Sequence, residues 1–386
     1  MTYPKAALLA AVSMALLGAC SDPAPGTKTA QAPPAAAPLP AAAPSATLPG
    51  QVPEPTVALN STPLVIPPIE ASSSPLAAPI DKAVWSAKPV TAEDRRHAVL
   101  RAEVLLARAH FSPGVIDGQD GGNLKNAIAA FQAAHGLPVD GVMNDQVWTA
   151  LAKDDRPTLT DYTITADDVK GPFLARIPTD MAEMARLPAL GFTTPSEALA
   201  ERFHMDEPLL KALNPGVDFS VAGAKIVVAA LGPDKLPMAV TRIEVDKAKR
   251  QVRAYGAADL LLAVYPATVG SAERPAPDGA WAVRTTAPDP TYTYDPSRLT
   301  FGKASNGKLT IKAGPNNPVG STWIDLTKDT YGIHGTPDPR QVGKTASHGC
   351  VRLTNWDARQ LSLAVKKGTK VDFVGVEQAT KPSAKG

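Results

Sequence analysis

Hydrophobic and polar positions divide the chain into stretches of different period. Residues 6–19 are almost wholly apolar and follow a short start that carries Lys5. A bilayer-spanning helix needs roughly 20 residues, so this shorter run over 1–20 predicts a secretory signal. Residues 21–88 then lose all period. They are built from Pro, Ala, Ser and Thr, and fifteen of the sixty residues from 21 to 80 are proline. Such a composition predicts a disordered, extended tether and not a domain. A helical period begins at Thr91-Ala92-Glu93-Asp94, which has the spacing of a capping box. It runs to about His110 with Leu100, Val104 and Ala107 on one face. Two Asp-Gly turns, Asp117-Gly118 and Asp140-Gly141, bracket a helix with Leu124, Ile128 and Phe131 at i, i+4 and i+7. That predicts a compact three-helix unit over 90–153.

The next stretch, 160–232, has a weaker pattern. Tyr162-Thr163-Ile164-Thr165 alternates like a strand, residues 196–203 and 209–216 suggest two short helices, and Lys225-Ile226-Val227-Val228 suggests a closing strand. From 240 to 375 the alternation is that of short strands, marked by Ile243, Val245, Val252, Ala254, Leu261, Ala263 and Tyr265. Residues 275–279 read as a turn, and 291–320, rich in Pro, Gly, Asn and Tyr, as long surface loops. Tyr331-Gly332-Ile333-His334 reads as a strand ending in a histidine. Thr354-Asn355-Trp356-Asp357 caps a helix expected to reach about Lys367, with Gly368 ending it and Lys366 and Lys367 complementing its dipole. Residues 376–386 read as a flexible tail.

Composition narrows the function. With 39 basic and 37 acidic residues the net charge is +2, which gives no support to a nucleic-acid partner. The two cysteines, Cys20 and Cys350, make neither a disulfide scaffold nor a four-sulfur zinc site. Cys20 ends Leu17-Gly18-Ala19-Cys20, which resembles a bacterial lipobox. The resemblance implies a lipid on Cys20, and Ser21 after it implies sorting to the outer membrane. The implied location is the periplasmic cell envelope. An ordinary signal peptide with an incidental Cys20 is the alternative.

Cys350 is an unpaired thiol in a chain read as exported, where a free cysteine is usually a liability. It has histidines 2 and 16 residues upstream, His348 and His334. Only a thiolate is a strong nucleophile, and an imidazole can take its proton and return it to an amine. The amides of Gly349 and Cys350 are candidates to meet a developing oxyanion. An inert buried cysteine, an intermolecular disulfide, and a metal site of His334, His348 and Cys350 remain alternatives.

Three resemblances sharpen these readings. Pro113-Gly114-Val115-Ile116-Asp117-Gly118, Ala130-Phe131-Gln132 and Gly136-Leu137-Pro138-Val139-Asp140-Gly141 resemble the small peptidoglycan-binding domain of cell-wall enzymes. Asn144 stands where that family usually has glycine, a place where asparagine can adopt the left-handed backbone, and Leu124 stands where threonine is common. The 160–232 stretch resembles a LysM module with a long insertion, and with Ala166-Asp167-Asp168 in place of the usual Gly-Asp-Thr. A spacer without sugar affinity fits the same order, and His204 there reads as a surface or capping residue.

His334-Gly335-Thr336 followed by Ser347-His348-Gly349-Cys350-Val351-Arg352-Leu353 resembles the signature of YkuD-type L,D-transpeptidases over about 240–375. Residues 275–279 and 320–324 also fit. The resemblance implies a multidomain chain whose catalytic domain is mostly β, a β-sandwich of α+β class, with Cys350 at the start of a helix. Cys350 is then the nucleophile, His334 the general base, and the Gly335 carbonyl the group that orients the imidazole. Ser347 and His348 would shape the oxyanion pocket. Arg352, where many members have asparagine, would fix the loop or meet a substrate carboxylate. The implied substrates are peptidoglycan stem peptides and glycan, with no metal or organic cofactor. The implied reaction is a 3→3 cross-link through a thioester. Hydrolysis by the same site, attachment of an envelope protein as acceptor, and a non-enzymatic wall-binding tether are the other outcomes.

Overall fold

The computed structural model describes residues 69–89, 91–270, 275–297, 307–347 and 349–377. The signal-like segment, Cys20, the tether up to 68, His348 and the tail beyond 377 lie outside the described residues. The tether expected up to 88 ends earlier, because 69–88 carries helix α1 (Ala77–Asp81) packed against the next helix. Ala77 and Ile80 are buried. The Asp81 carboxylate accepts the backbone N–H groups of Thr158 (2.6 Å) and Leu159 (3.2 Å), and the Ser73 hydroxyl donates to Asp161 at 2.7 Å. A segment too polar to fold alone is ordered here by the surface it covers.

Helices α2 (Ala92–Arg108), α3 (Gly122–Ala134) and α4 (Asp145–Leu151) form the expected three-helix unit. The Thr91–Asp94 capping box opens α2. Asn144 is not left-handed: at φ −143° it is the N-cap of α4, its side chain accepting from the Gln146 and Val147 amides. The Asp-Gly turns are clamped from within. Fully buried Gln132 accepts the N–H groups of Asp140 and Gly141 and donates to the Asp140 carboxylate at 2.7 Å. Glu103 accepts those of Asp117 and Gly118.

Helix α2 is apolar on two faces. Val99, Leu105 and Leu106 pack with α3 and α4, whereas Leu100 and Val104 belong to the core of the following subdomain. That subdomain runs β1 (Leu159–Thr163), α5 (Ala166–Val169), α6 (Met181–Ala185), α7 (Pro195–Arg202), α8 (Glu207–Leu213) and β2 (Lys225–Ala229). Strand β1 pairs antiparallel with β2, so the predicted strand–helix–helix–strand frame is present, with α5 and α6 in the long insertion. His204 takes the capping place after the C-cap of α7 and is half-buried. Its backbone is left-handed (φ 56°), its ring stacks on Trp356 with centroids 4.9 Å apart, and burial holds its pKa down to about 3.

The remaining strands are β3 (Arg242–Asp246), β4 (Gln251–Tyr255), β5 (Leu261–Pro266), β6 (Gly279–Pro288), β7 (Tyr292–Tyr294), β8 (Leu309–Ile311), β9 (Thr322–Leu326), β10 (Gly332–His334) and β11 (Val351–Arg352). Helix α9 (Asn355–Ala364) and strand β12 (Lys370–Val374) complete the fold. The two layers expected of a sandwich are halves of one eight-stranded sheet, ordered β11-β10-β9-β6-β12-β3-β4-β5. The long β6 pairs with β12 through its first residues and with β9 through its last, across a register shift at Val283–Thr285. The sheet curls there, so that Val245, Val252, Ile324 and Ile333 meet Leu361 of α9 in one core.

Local departures have local causes. A bulge between Ala254 and Tyr255 turns Leu261 off the predicted alternation, so it packs with the helical unit. Helix α9 stops at Ala364 because Val365 is extended, and Gly368 instead makes the turn into β12 at φ 87°. Within the predicted surface loops, β7 pairs with β8, and Tyr294, Ile311 and Asn317 are fully buried. The edge of β5 is covered by residues 110–112: the Ser112 amide donates to the Val264 carbonyl (2.8 Å) and the Val264 amide to that of His110 (2.9 Å).

Because α2 serves two cores, Leu100→Ala destabilises both the helical unit and the subdomain after it, by about 2–5 kcal/mol. Calorimetry of the variant is expected to show one lowered transition; two transitions, one unmoved, would refute the shared core.

Candidate active site

The site is built on the face of the sheet that points away from the core. Val351, Ile333 and Ile324 sit side by side on β11, β10 and β9 and point inward. With a period of two, their neighbours Arg352, His334 and Trp323 form a parallel row on the opposite face. Cys350 lies just before β11, its thiol against the backbone of Gly332, two residues before His334, and within electrostatic reach of Arg352, the partner of His334 in that row. Cys350 therefore precedes a strand, and α9 begins five residues later, not at the cysteine as expected.

His334 is almost wholly buried and its Nδ1 lies 2.6 Å from the Gly335 carbonyl oxygen. A carbonyl only accepts, so Nδ1 carries the proton and Nε2 is left as the basic nitrogen. Burial is the largest influence on the ring, and Arg352 adds to it; together they hold the pKa down to about 3 against the Gly335 and Val319 carbonyls, which favour protonation. The ring of Trp323 stacks on His334 with centroids 5.4 Å apart and 20° between planes. It also lies flat over Gly332, where any Cβ would overlap it.

The half-buried Cys350 thiol donates to the Thr330 carbonyl at 3.7 Å. Burial pushes its pKa up, opposed by the Gly332 backbone and by the Arg352 guanidinium, which favour the thiolate. Ser347 is committed to the turn, its hydroxyl donating to the Cys350 carbonyl at 2.6 Å and accepting the Gly349 amide at 3.3 Å. The Gly349 N–H is thereby engaged locally. Gly349 itself is required twice: its φ is 112°, and a Cβ there would sit 3.0 Å from the Tyr331 ring. His348, assigned to the same pocket, lies outside the described residues.

The model of the L,D-transpeptidase catalytic domain, YkuD, matches residues 240–373, and that of a peptidoglycan binding domain matches 95–151. YkuD of Bacillus licheniformis, named as an L,D-transpeptidase, is 30% identical over 180 residues, 46% of this chain and 92% of that protein. The chain belongs to the YkuD-type L,D-transpeptidase family. YbiS of Escherichia coli K12, also named as an L,D-transpeptidase, is 29% identical over 198 residues, half of this chain and 64% of that protein. An L,D-transpeptidase structure from Stackebrandtia nassauensis aligns over 73% of this chain and 92% of its own, at 16% identity and a TM-score of 0.28.

In this member of the family the fold brings Cys350, His334, Gly335, Gly349, Ser347 and Arg352 together. Several contributors were not visible in the sequence. Trp323 was seen only as a match to the family, Asn355 only as part of a cap, and Tyr292 only as a loop residue. Yet the Tyr292 phenol is within electrostatic reach of both Cys350 and Arg352. Trp323 had a signal, since alternation with Ile324 puts it on the face of His334 once β9 is paired with β10. The others depend on contacts far apart in sequence.

The balance at Cys350 is testable in the full chain with Cys20→Ser. Iodoacetamide alkylation is expected to accelerate with pH beyond the range of an ordinary thiol. Arg352→Ala removes a cation that favours the thiolate, so it moves the profile to still higher pH; a shift to lower pH would contradict the charge assignment.

Proposed function

We propose that this acyltransferase-family protein is a peptidoglycan L,D-transpeptidase that forms 3→3 cross-links through a Cys350 thioester. The observation that carries the reading is the His334 Nδ1–Gly335 carbonyl hydrogen bond, which leaves Nε2 as a base for the thiol. At neutral pH the pair rests as neutral thiol and neutral imidazole, because burial outweighs the groups that favour ions.

As Cys350 Sγ attacks the carbonyl of the third stem residue, its proton passes to His334 Nε2. The Gly335 and Val319 carbonyls favour the imidazolium formed, the role a carboxylate plays in other triads. The carbon–nitrogen bond to the terminal D-Ala then breaks and the imidazolium returns the proton to the departing amine. The side-chain amine of a second stem attacks the thioester, gives up its proton to His334, and expels the Cys350 thiolate, which takes that proton from the imidazolium. The thioester conserves the acyl energy, so no nucleotide is consumed. The Cys350 amide and Arg352 would meet the negative charge, and the three-helix unit would hold the glycan.

The same reading places the protein in the cell envelope. A lipid on Cys20 would tether it to the outer membrane, with the proline-rich segment as the reach toward the wall. An envelope protein as acceptor uses the same thioester.

Cys350→Ala and His334→Ala are each expected to lower turnover of purified disaccharide-tetrapeptide by at least about a thousandfold. Mass spectrometry reads the product: cross-linked dimer supports the transferase, tripeptide alone identifies a carboxypeptidase, and unchanged substrate leaves a binding tether. Fatty-acid labelling of whole cells is expected to disappear in Cys20→Ser; label retained in that variant would refute the anchor.

A further inference from the structure

Helix α7 presents two carboxylates, one turn apart, to the catalytic half of the molecule. Glu197 accepts the Thr193 amide (2.6 Å) and Asn316 Nδ2 (2.8 Å). Glu201 accepts Asn355 Nδ2 with both oxygens, at 3.0 and 3.2 Å. Asn355 opens α9, and its carboxamide is wedged behind the catalytic loops. Its Oδ1 accepts the Ser321 amide at 3.0 Å and its Nδ2 also reaches the Pro315 carbonyl at 3.2 Å. A Cβ on either Gly320 or Gly335 would overlap Asn355 Oδ1. One planar group therefore supports both the segment that carries the Val319 carbonyl and the residue whose carbonyl holds His334.

A carboxamide can flip, exchanging its oxygen and nitrogen. The Glu201 acceptor fixes the orientation together with the Pro315 carbonyl and the Ser321 N–H: NH2 is held toward α7, and Oδ1 points at Ser321 and Gly335. Flipped, the amide would set a donor against the Ser321 N–H and crowd Gly335. The far side of the same catalytic loop is held by neighbouring modules as well. Asn123 of α3 donates to the Val342 carbonyl at 2.9 Å, and Arg340 pairs with Asp206 at 2.5 Å.

We infer that Glu201 is a positioning residue for the reaction, acting through Asn355 on Gly335 and so on His334. The strand–helix–helix–strand subdomain is thus a working part of the catalytic centre, neither a passive spacer nor only a glycan reader. The inference deepens the proposed transferase reading and rests on it for the identity of the base. Burial and the nearby Glu197 push Glu201 up to about 8, so at pH 7 it is mostly the neutral acid. Glutamine is therefore its close mimic, and alanine removes the acceptor.

The test uses the full chain carrying Glu201→Ala, Glu201→Gln, Asn355→Ala or the Ala/Ala double change. Two readouts are taken at pH 7: kcat and KM with disaccharide-tetrapeptide, and the His334 Nδ1–H resonance in histidine-labelled protein, assigned by its loss in His334→Ala. Glu201→Ala is expected to lower kcat about tenfold with KM within about twofold, and to move or broaden the resonance. Glu201→Gln is expected to restore both, and the double variant to be no worse than Asn355→Ala alone. An unmoved resonance in Glu201→Ala overturns the inference. So does equal impairment by Gln and Ala with an equal fall in melting temperature, which would mark a fold contact only. If wild-type protein gives no cross-link, the transferase reading fails, and the His334 resonance still decides the role of Glu201.

Discussion

The hydrogen bond from His334 Nδ1 to the carbonyl of the next residue, Gly335, is the constraint around which the catalytic domain is arranged. It selects the tautomer, because a backbone carbonyl has no proton to give. It also demands that Gly335 be held still, and a residue at the end of a three-residue strand cannot hold itself. The structure supplies that hold from the core side, where the Asn355 carboxamide fills the space that two absent Cβ atoms leave at Gly320 and Gly335. On the other face, the Trp323 ring keeps the imidazole flat by stacking over it and over Gly332. Three glycines and one indole thus leave the imidazole and the carbonyl that orients it a single packed position.

The electrostatics follow from the same burial. Desolvation is the leading influence on both His334 and Cys350 and acts in opposite directions, lowering the imidazole and raising the thiol. Arg352 divides its effect, favouring the thiolate while disfavouring the imidazolium. A resting ion pair is therefore disfavoured, and in the proposed reaction charge would develop only when substrate arrives, beside the Gly335 and Val319 carbonyls that favour an imidazolium.

The modules are joined by continuous structure. Helix α2 contributes to two cores, residues 110–112 cover the β5 edge, and His204 stacks on Trp356 beside the start of α9. An exposed sheet edge and an uncovered apolar helix face are each unfavourable in water. Each module therefore covers a surface that another leaves open. The loop between His334 and Cys350 gains partners from all three modules, through Asn123, Asp206 and Thr268.

Much of the fold was legible because it obeys local rules. The capping box at Thr91, the alternation of Ile243 and Val245, the Asp-Gly turns and the strand ending at His334 all rest on near neighbours in the chain. Where local rules were outvoted, the cause was packing: 69–88 folds against α2, and Leu261 turns at a bulge. The amino-acid sequence by itself determined which residues are the candidates for the chemistry, since a Cys beside glycine and histidines is a chemical pattern wherever it lies. Only tertiary structure decided how they are held. The row of Arg352, His334 and Trp323 exists once three strands are in register, and the Glu201–Asn355 contact spans 154 positions of chain. Neither local propensity nor period carries information over that distance, because it is the closing of the core that brings such groups within hydrogen-bonding range.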